Sequence, residues 1–186
     1  MNTFLCNKEN HLQRKIYILR HEQRFNDISF DTHLTDKGIH NAIYKICPNL
    51  LQLQIDEIYC SPFVRTLETI KPYCDKTGKK VNIEWGLVES QPSNPKISSS
   101  FDSIINHDYI SYIPYSYFEN YSELDNLLSF NDLISRVSSF LNSTYKNKNI
   151  LLVTHMPVIN AILSSKGLKS YNINTYHNPG SLISLI

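Results

Sequence analysis

The apolar positions of this chain fall into short runs, each stopped by polar or turn-forming residues. Ile16-Tyr17-Ile18-Leu19 ends abruptly at Arg20-His21, and residues 15–20 read as a first strand. A second run over 55–60, a third over 81–85, a fourth over 149–154 and a last over 181–186 read the same way. Helical spacing fills the gaps between them. One helix starts behind Thr35 as N-cap and reaches about Cys47, where Pro48 should stop it. Another opens at Ser61-Pro62, with Ser61 as N-cap, and buries Val64, Leu67 and Ile70 on one side; Pro72 should kink or interrupt it. Leu133, Ile134, Val137, Phe140 and Leu141 mark a helix over about 130–146, and Pro157 opens one to about Ser165.

The pattern fails in three places. Residues 1–14 are polar and read as a loose lead-in. Residues 22–33 read as an irregular loop. From Gly86 to about 128, Pro92, Pro95 and Pro114 sit among many Ser, Asn and Tyr residues, which suggests an irregular lid or specificity insertion. Asn178-Pro179-Gly180 reads as a turn. Strands alternating with helices imply an α/β fold, a three-layer α/β/α sandwich with a largely parallel central sheet, and 15–186 is expected to be one domain.

Composition narrows the function classes. A net charge of +1 over 186 residues argues against a nucleic-acid or anionic-membrane surface. No apolar run approaches the roughly 20 residues that cross a bilayer, and the start has no signal-peptide pattern. Cys6, Cys47, Cys60 and Cys74 have no zinc-type spacing, so reduced thiols and a cytoplasmic location are expected. Cys60 reads as a small buried hydrophobe. The five glycines form no Walker loop or GxGxxG pattern.

The candidate chemistry lies at two strand ends, Leu19-Arg20-His21 and Val153-Thr154-His155. In a parallel sheet both would deliver their last side chains to one carboxyl edge. Arg65 sits one turn into the helix that starts at that edge. Two imidazoles, two guanidiniums and a helix amino end match the oxygens of a phosphoryl group better than one carboxylate. Neighbouring arginines should hold His21 neutral and nucleophilic, and bound phosphate could let His155 protonate. Glu89, just past the third strand, is the first candidate to protonate a leaving oxygen. Glu84, expected within a strand, and Glu68, expected as a solvated charge, are weaker candidates. Arg24 is a candidate substrate contact, with a solvated loop charge as the alternative. His33, His40, His107 and His177 read as surface or loop residues, and Tyr109, Tyr112, Tyr115 and Tyr117 as packing for the excursion.

Four segments in order resemble the histidine phosphatase superfamily, the phosphoglycerate mutase-like proteins, and its branch 1. They are Leu19-Arg20-His21, Leu34-Thr35-Asp36-Lys37-Gly38 with Asn41-Ala42, Tyr59-Cys60-Ser61-Pro62-Phe63-Val64-Arg65-Thr66-Leu67-Glu68-Thr69, and Val153-Thr154-His155. Arg20-His21-x-x-Arg24 and Gly86-Leu87-Val88-Glu89 look most like the suppressor-of-T-cell-receptor-signalling tyrosine phosphatases. The resemblance implies a phosphoglycerate mutase-like fold and phosphomonoester hydrolysis through a phosphohistidine on His21. Arg20, Arg65 and His155 would complete the phosphate pocket, with Glu89 as proton donor and no metal or cofactor. The substrate would be a phosphorylated small molecule or phosphoprotein. A mutase using the same intermediate, or a silent phospho-ligand-binding module, are the alternatives. Three residues depart from the pattern. Glu22 replaces the usual glycine and could repel phosphate or turn away to pair with a cation such as Arg24. Asn41 and Glu68 replace glutamines.

Overall fold

A computed structural model describes residues 14–27, 29–90, 95–118, 130–144, 147–168 and 178–185. The first run forms β1 (Ile16–Arg20), the second β2 (Glu57–Cys60), the third β3 (Val81–Ile83), the fourth β4 (Ile150–Thr154) and the last β5 (Leu182–Leu185). They form one sheet in the order β3-β2-β4-β1-β5, parallel except for β5, which pairs antiparallel with β1.

Side chains alternate between two buried layers, as the pleat requires. Ile16, Ile18, Ile150 and Leu152 face one way, against α4 (Phe130–Ser143) and α5 (Met156–Ser165). Tyr17, Leu19, Leu151 and Val153 face the other, against Ile46, α2 (Cys47–Leu50) and α3 (Val64–Thr77), with α1 (Asp36–Asn41) packed beside α3. The result is the expected three-layer sandwich.

Several local expectations need correction. The helix after Thr35 does not stop at Pro48. A wide π-turn over Ala42–Ile46 joins α1 to α2, and the proline sits in the first turn of α2, where its missing N–H costs little. Thr35 is the N-cap as expected, its hydroxyl accepting from Gly38 N at 3.1 Å. Pro72 does not interrupt α3, which runs unbroken to Thr77; five of its side chains, Val64, Leu67, Ile70, Tyr73 and Cys74, are buried in the core and offset the lost backbone bond. The third strand is shorter than read and leaves Glu84 just beyond its end. Residues 1–13 of the lead-in lie outside the described residues. Its last residue is tied down, since Arg14 Nη2 donates to Thr144 Oγ1 at 2.7 Å.

Of the excursion, 91–94 and 119–128 lie outside the described residues. The described part packs into both layers. Phe101, Ile104 and Ile105 join one core and Phe118 the other, and Asn106 N donates to Val81 O at 2.9 Å to run beside β3. Glu84 is its tie. That fully buried carboxylate accepts from Gly86 N (2.8 Å), Tyr109 Oη (2.7 Å), Tyr112 N (2.9 Å) and Ile113 N (3.1 Å).

Candidate active site

The sheet register brings the two strand-end histidines together. Arg20 pairs with Thr154 across β1 and β4, and His21 N donates to Thr154 O at 3.0 Å. The rings of His21 and His155, both buried, then face each other with centroids 5.3 Å apart. His21 Nδ1 lies 2.7 Å from the Glu22 carbonyl. A carbonyl only accepts, so the proton is on Nδ1 and the lone pair is on Nε2. The chain beyond His21 is pinned as well: Glu22 N donates to Thr69 Oγ1 at 2.9 Å, and Gly180 N donates to the His21 carbonyl at 3.1 Å.

Arg65 enters from the first turn of α3 and is fully buried. Its Nη1 donates to Ser29 O at 2.9 Å and its Nη2 to Glu89 Oε1 at 2.6 Å. The guanidinium also lies 4.2 Å from the centre of the Phe63 ring, and its Nε has no hydrogen-bond partner among the described residues. Glu89 reaches His155 too, with Oε1 3.2 Å from Nδ1. Ser61 is not an N-cap; α3 starts two residues later, and the Ser61 hydroxyl lies 2.9 Å from His155 Nε2. A carboxylate beside Nδ1 favours the proton there, which leaves Nε2 to accept from Ser61.

Arg20 and Arg24 line an open cleft of about 240 Å³ beside His21, with Glu22, Gln23, Phe25, Asn26 and Pro179. Arg24 Nη1 is turned onto the backbone, donating to the carbonyls of Phe25 and Asp27. The site residues anticipated from sequence therefore fall into two adjoining groups. Glu89 bridges Arg65 and His155, with the His21 ring beside His155, and Arg20 and Arg24 flank His21.

The electrostatics follow from burial and crowding. Burial, then His155 and Arg65, hold His21 far below the ordinary imidazole range, to about 3, against the opposing pull of its bond to the Glu22 carbonyl. Burial thus outranks the arginines as the reason the ring is neutral. Burial likewise lowers His155, with Glu89 working the other way. For Glu89 burial alone would raise the carboxyl, but His155 and Arg65 outweigh it and keep it ionised below the usual carboxylate range.

Two departures from the expected pattern answer each other. Glu22 is buried and does not pair with Arg24. Its Oε2 accepts from Gln23 N at 3.1 Å and from Asn41 Nδ2 at 3.3 Å. Its Oε1 fills the space beside Gly180, where a Cβ would lie 2.1 Å away. Glu68 is not an ordinary solvated charge either; it accepts from Leu34 N at 2.7 Å and pairs with His33 Nδ1 at 2.6 Å.

Arg136 was not anticipated. It is buried on α4, donates to Gly86 O at 2.9 Å and Val88 O at 3.3 Å, and pairs with Asp132 at 2.8 Å. Thr154 Oγ1 adds a bond to Leu87 O at 2.8 Å. Together they fix the turn that carries Glu89. A lone arginine inside an apolar helical period is the one sequence signal that marks it.

A family model described as histidine phosphatase superfamily (branch 1) matches residues 16–181. No curated protein gives a significant match. Among solved structures, an ecdysone phosphate phosphatase from Bombyx mori, in complex with tungstate, is similar with a TM-score of 0.68 at 15% identity, covering 94% of this chain and 89% of that one. A mycobacterial glucosyl-3-phosphoglycerate phosphatase, in complex with VO3, gives 0.61 at 20% identity, covering 93% and 92%. A phosphoserine phosphatase from Entamoeba histolytica, in complex with 3-phosphoglyceric acid, gives 0.59 at 18% identity, covering 93% and 90%. At such identities the likeness speaks to the fold. Among the described residues no helix is long and apolar enough to cross a membrane.

Proposed function

The chain belongs to branch 1 of the histidine phosphatase superfamily, and from that premise we propose that it hydrolyses phosphomonoesters through a phosphohistidine on His21. The observation that carries this reading is the tautomer of His21. Its Nδ1 is committed to the Glu22 carbonyl at 2.7 Å, so Nε2 keeps a lone pair, beside a cleft to which Arg20 and Arg24 contribute. In-line attack by Nε2 forms the P–N bond as the P–O bond to the leaving group breaks. Arg20, Arg65 and His155 hold the phosphoryl oxygens, and Arg24 swings from its backbone carbonyls to touch substrate.

Glu89 supplies the proton. In the free protein it is ionised because Arg65 and His155 favour its charge. A phosphate dianion draws those same groups to itself and adds its own negative field, so the carboxyl takes up a proton as substrate binds. It passes that proton to the leaving oxygen. It then accepts one from the water that attacks phosphorus, the P–N bond breaks, and His21 regains its lone pair. No metal takes part in this scheme, because the guanidiniums supply the positive charge.

Residues 15–186 act as one domain in this reading, with 86–128 as the specificity element. The substrate is a phosphorylated small molecule or phosphoprotein; the similar structures include phosphatases for ecdysone phosphate, glucosyl-3-phosphoglycerate and phosphoserine. The compartment is the cytoplasm, which suits the free thiols of Cys47, Cys60 and Cys74. The test is turnover of a phosphomonoester panel with a chelator present. Wild-type protein should release phosphate and His21→Ala should not; equal release by both would remove the proposed nucleophile.

A further inference from the structure

One small volume of the molecule also has the donor set of a borderline transition ion. Among the described residues, His21, Glu89 and His155 each place one ligand atom within 4.8 Å of the other two. The pair His155 Nδ1 and Glu89 Oε1 is 3.2 Å apart. Bonds of 2.0–2.1 Å to a tetrahedral zinc put neighbouring ligands about 3.3 Å apart, so this pair already has the spacing of two ligands. The contact is electrostatic but poorly aligned, since His155 Nδ1 is fully buried at 3.2 Å from the carboxylate without meeting hydrogen-bond geometry.

Both imidazoles are anchored at one nitrogen. Metal-binding imidazoles usually anchor their far nitrogen to the protein. Here Ser61 holds His155 Nε2 at 2.9 Å and the Glu22 carbonyl holds His21 Nδ1 at 2.7 Å. The two nitrogens that remain belong to neighbouring rings, with centroids 5.3 Å apart and planes tilted by 59°. We propose that His21, His155 and Glu89 bind Zn²⁺ in the place of the substrate phosphate, making the site a cation-inhibited one.

The arginines set the selectivity. Arg65 is buried and holds Glu89 at 2.6 Å, and Arg20 stands beside His21. Their charge repels any cation, so an ion bound by charge alone, such as Mg²⁺ or Ca²⁺, gains too little. Imidazole bonding compensates only for ions high in the first-row affinity order. Binding replaces all but one of the ion's waters with three protein ligands in a tetrahedral shell. The His155 proton moves from Nδ1 to Nε2, where the Ser61 oxygen accepts it; nothing is oxidised or reduced. The His21 lone pair is consumed, so bound ion and phosphoryl transfer exclude each other. The binding itself is independent of the phosphatase reading; the inhibition rests on it.

The test is calorimetric titration of the metal-stripped full chain with ZnCl₂ and with MgCl₂, in a buffer free of phosphate. Wild type should bind one Zn²⁺ and no Mg²⁺, and saturating vanadate should abolish the Zn²⁺ event. His21→Ala and Glu89→Gln, each checked for an intact thermal transition, should bind Zn²⁺ at least about tenfold more weakly, about 1.4 kcal/mol. If His21→Ala does not fold, Glu89→Gln and the vanadate competition carry the same test. No Zn²⁺ event at millimolar metal, or one indifferent to vanadate and to both substitutions, would overturn the proposal and place any bound ion on surface histidines. Zinc binding in a protein without phosphatase turnover would leave the metal site standing and overturn both the inhibition and the reading above.

Discussion

Glu89→Gln separates two roles of one carboxylate. In the free protein Glu89 sits 2.6 Å from the buried Arg65 Nη2 and 3.2 Å from His155 Nδ1, so it occupies the positive groups that phosphate needs. A unit charge pair about 4 Å apart at an effective dielectric near 20 interacts by about 4 kcal/mol. The Glu89 side chain is 21% exposed, so water screens part of that, and an arriving oxyanion replaces part of it. If about a third survives as net competition, removing the charge tightens oxyanion binding by about 1.4 kcal/mol, or about tenfold. The same substitution removes the proton donor. Turnover of an alkyl phosphate should fall by about 10²–10⁴, while an aryl phosphate with an acidic leaving group should lose much less. The assay is vanadate inhibition beside kcat for the two substrates. Tighter vanadate with unequal slowing is the expected result. Unchanged or weaker vanadate with equal slowing would make Glu89 a prop for Arg65 and refute both roles.

Burial depresses both His21 and His155, so their folded forms stay neutral while the unfolded chain takes up protons below about pH 6.5. Stability should therefore be full near pH 7 and fall toward pH 5, by up to about 1.4 kcal/mol per pH unit for each ring; urea midpoints that stay flat would contradict this, and His21→Ala should lessen the slope. Arg136→Met leaves Asp132 without its 2.8 Å partner and frees the carbonyls of Gly86 and Val88, which should cost about 3–5 kcal/mol and lower kcat more than it changes KM. A loss below about 1 kcal/mol in urea denaturation would show the clamp to be idle. Gly180→Ala puts a Cβ 2.1 Å from Glu22 Oε1 at a φ of 74°, at a cost of about 2 kcal/mol, and adding Glu22→Gly should recover part of it; strictly additive costs would mean the two do not touch.

The layers of the fold were legible because each strand is a short apolar run and each helix has a clear period. The two histidines were legible because both strands are parallel neighbours, so their ends share an edge. Proline misled in both helices. At Pro48 a π-turn absorbed the defect, and at Pro72 the buried face of α3 outweighed one lost bond. Ser61 misled for a related reason. Its hydroxyl has two possible partners, a helix end or a buried imidazole, and only the tertiary structure decides between them. Glu22 and Asn41 each looked like an unexplained departure; that they meet is a contact across 19 residues that no local pattern encodes. The tie made by Glu84 was hidden for the opposite reason, since a buried charge satisfied mostly by backbone groups leaves no spacing signature, and Arg136 left only its place inside an apolar helical period.

The central claim is that His21 carries the phosphoryl group during turnover. Rapid acid-free quenching of wild-type protein with a phosphomonoester, followed by peptide mass spectrometry, tests it most directly. The account predicts one phosphate on the peptide containing His21, labile to acid and stable to base, and its accumulation in Glu89→Gln. Phosphate on another residue, or turnover with His21 never modified, would contradict it.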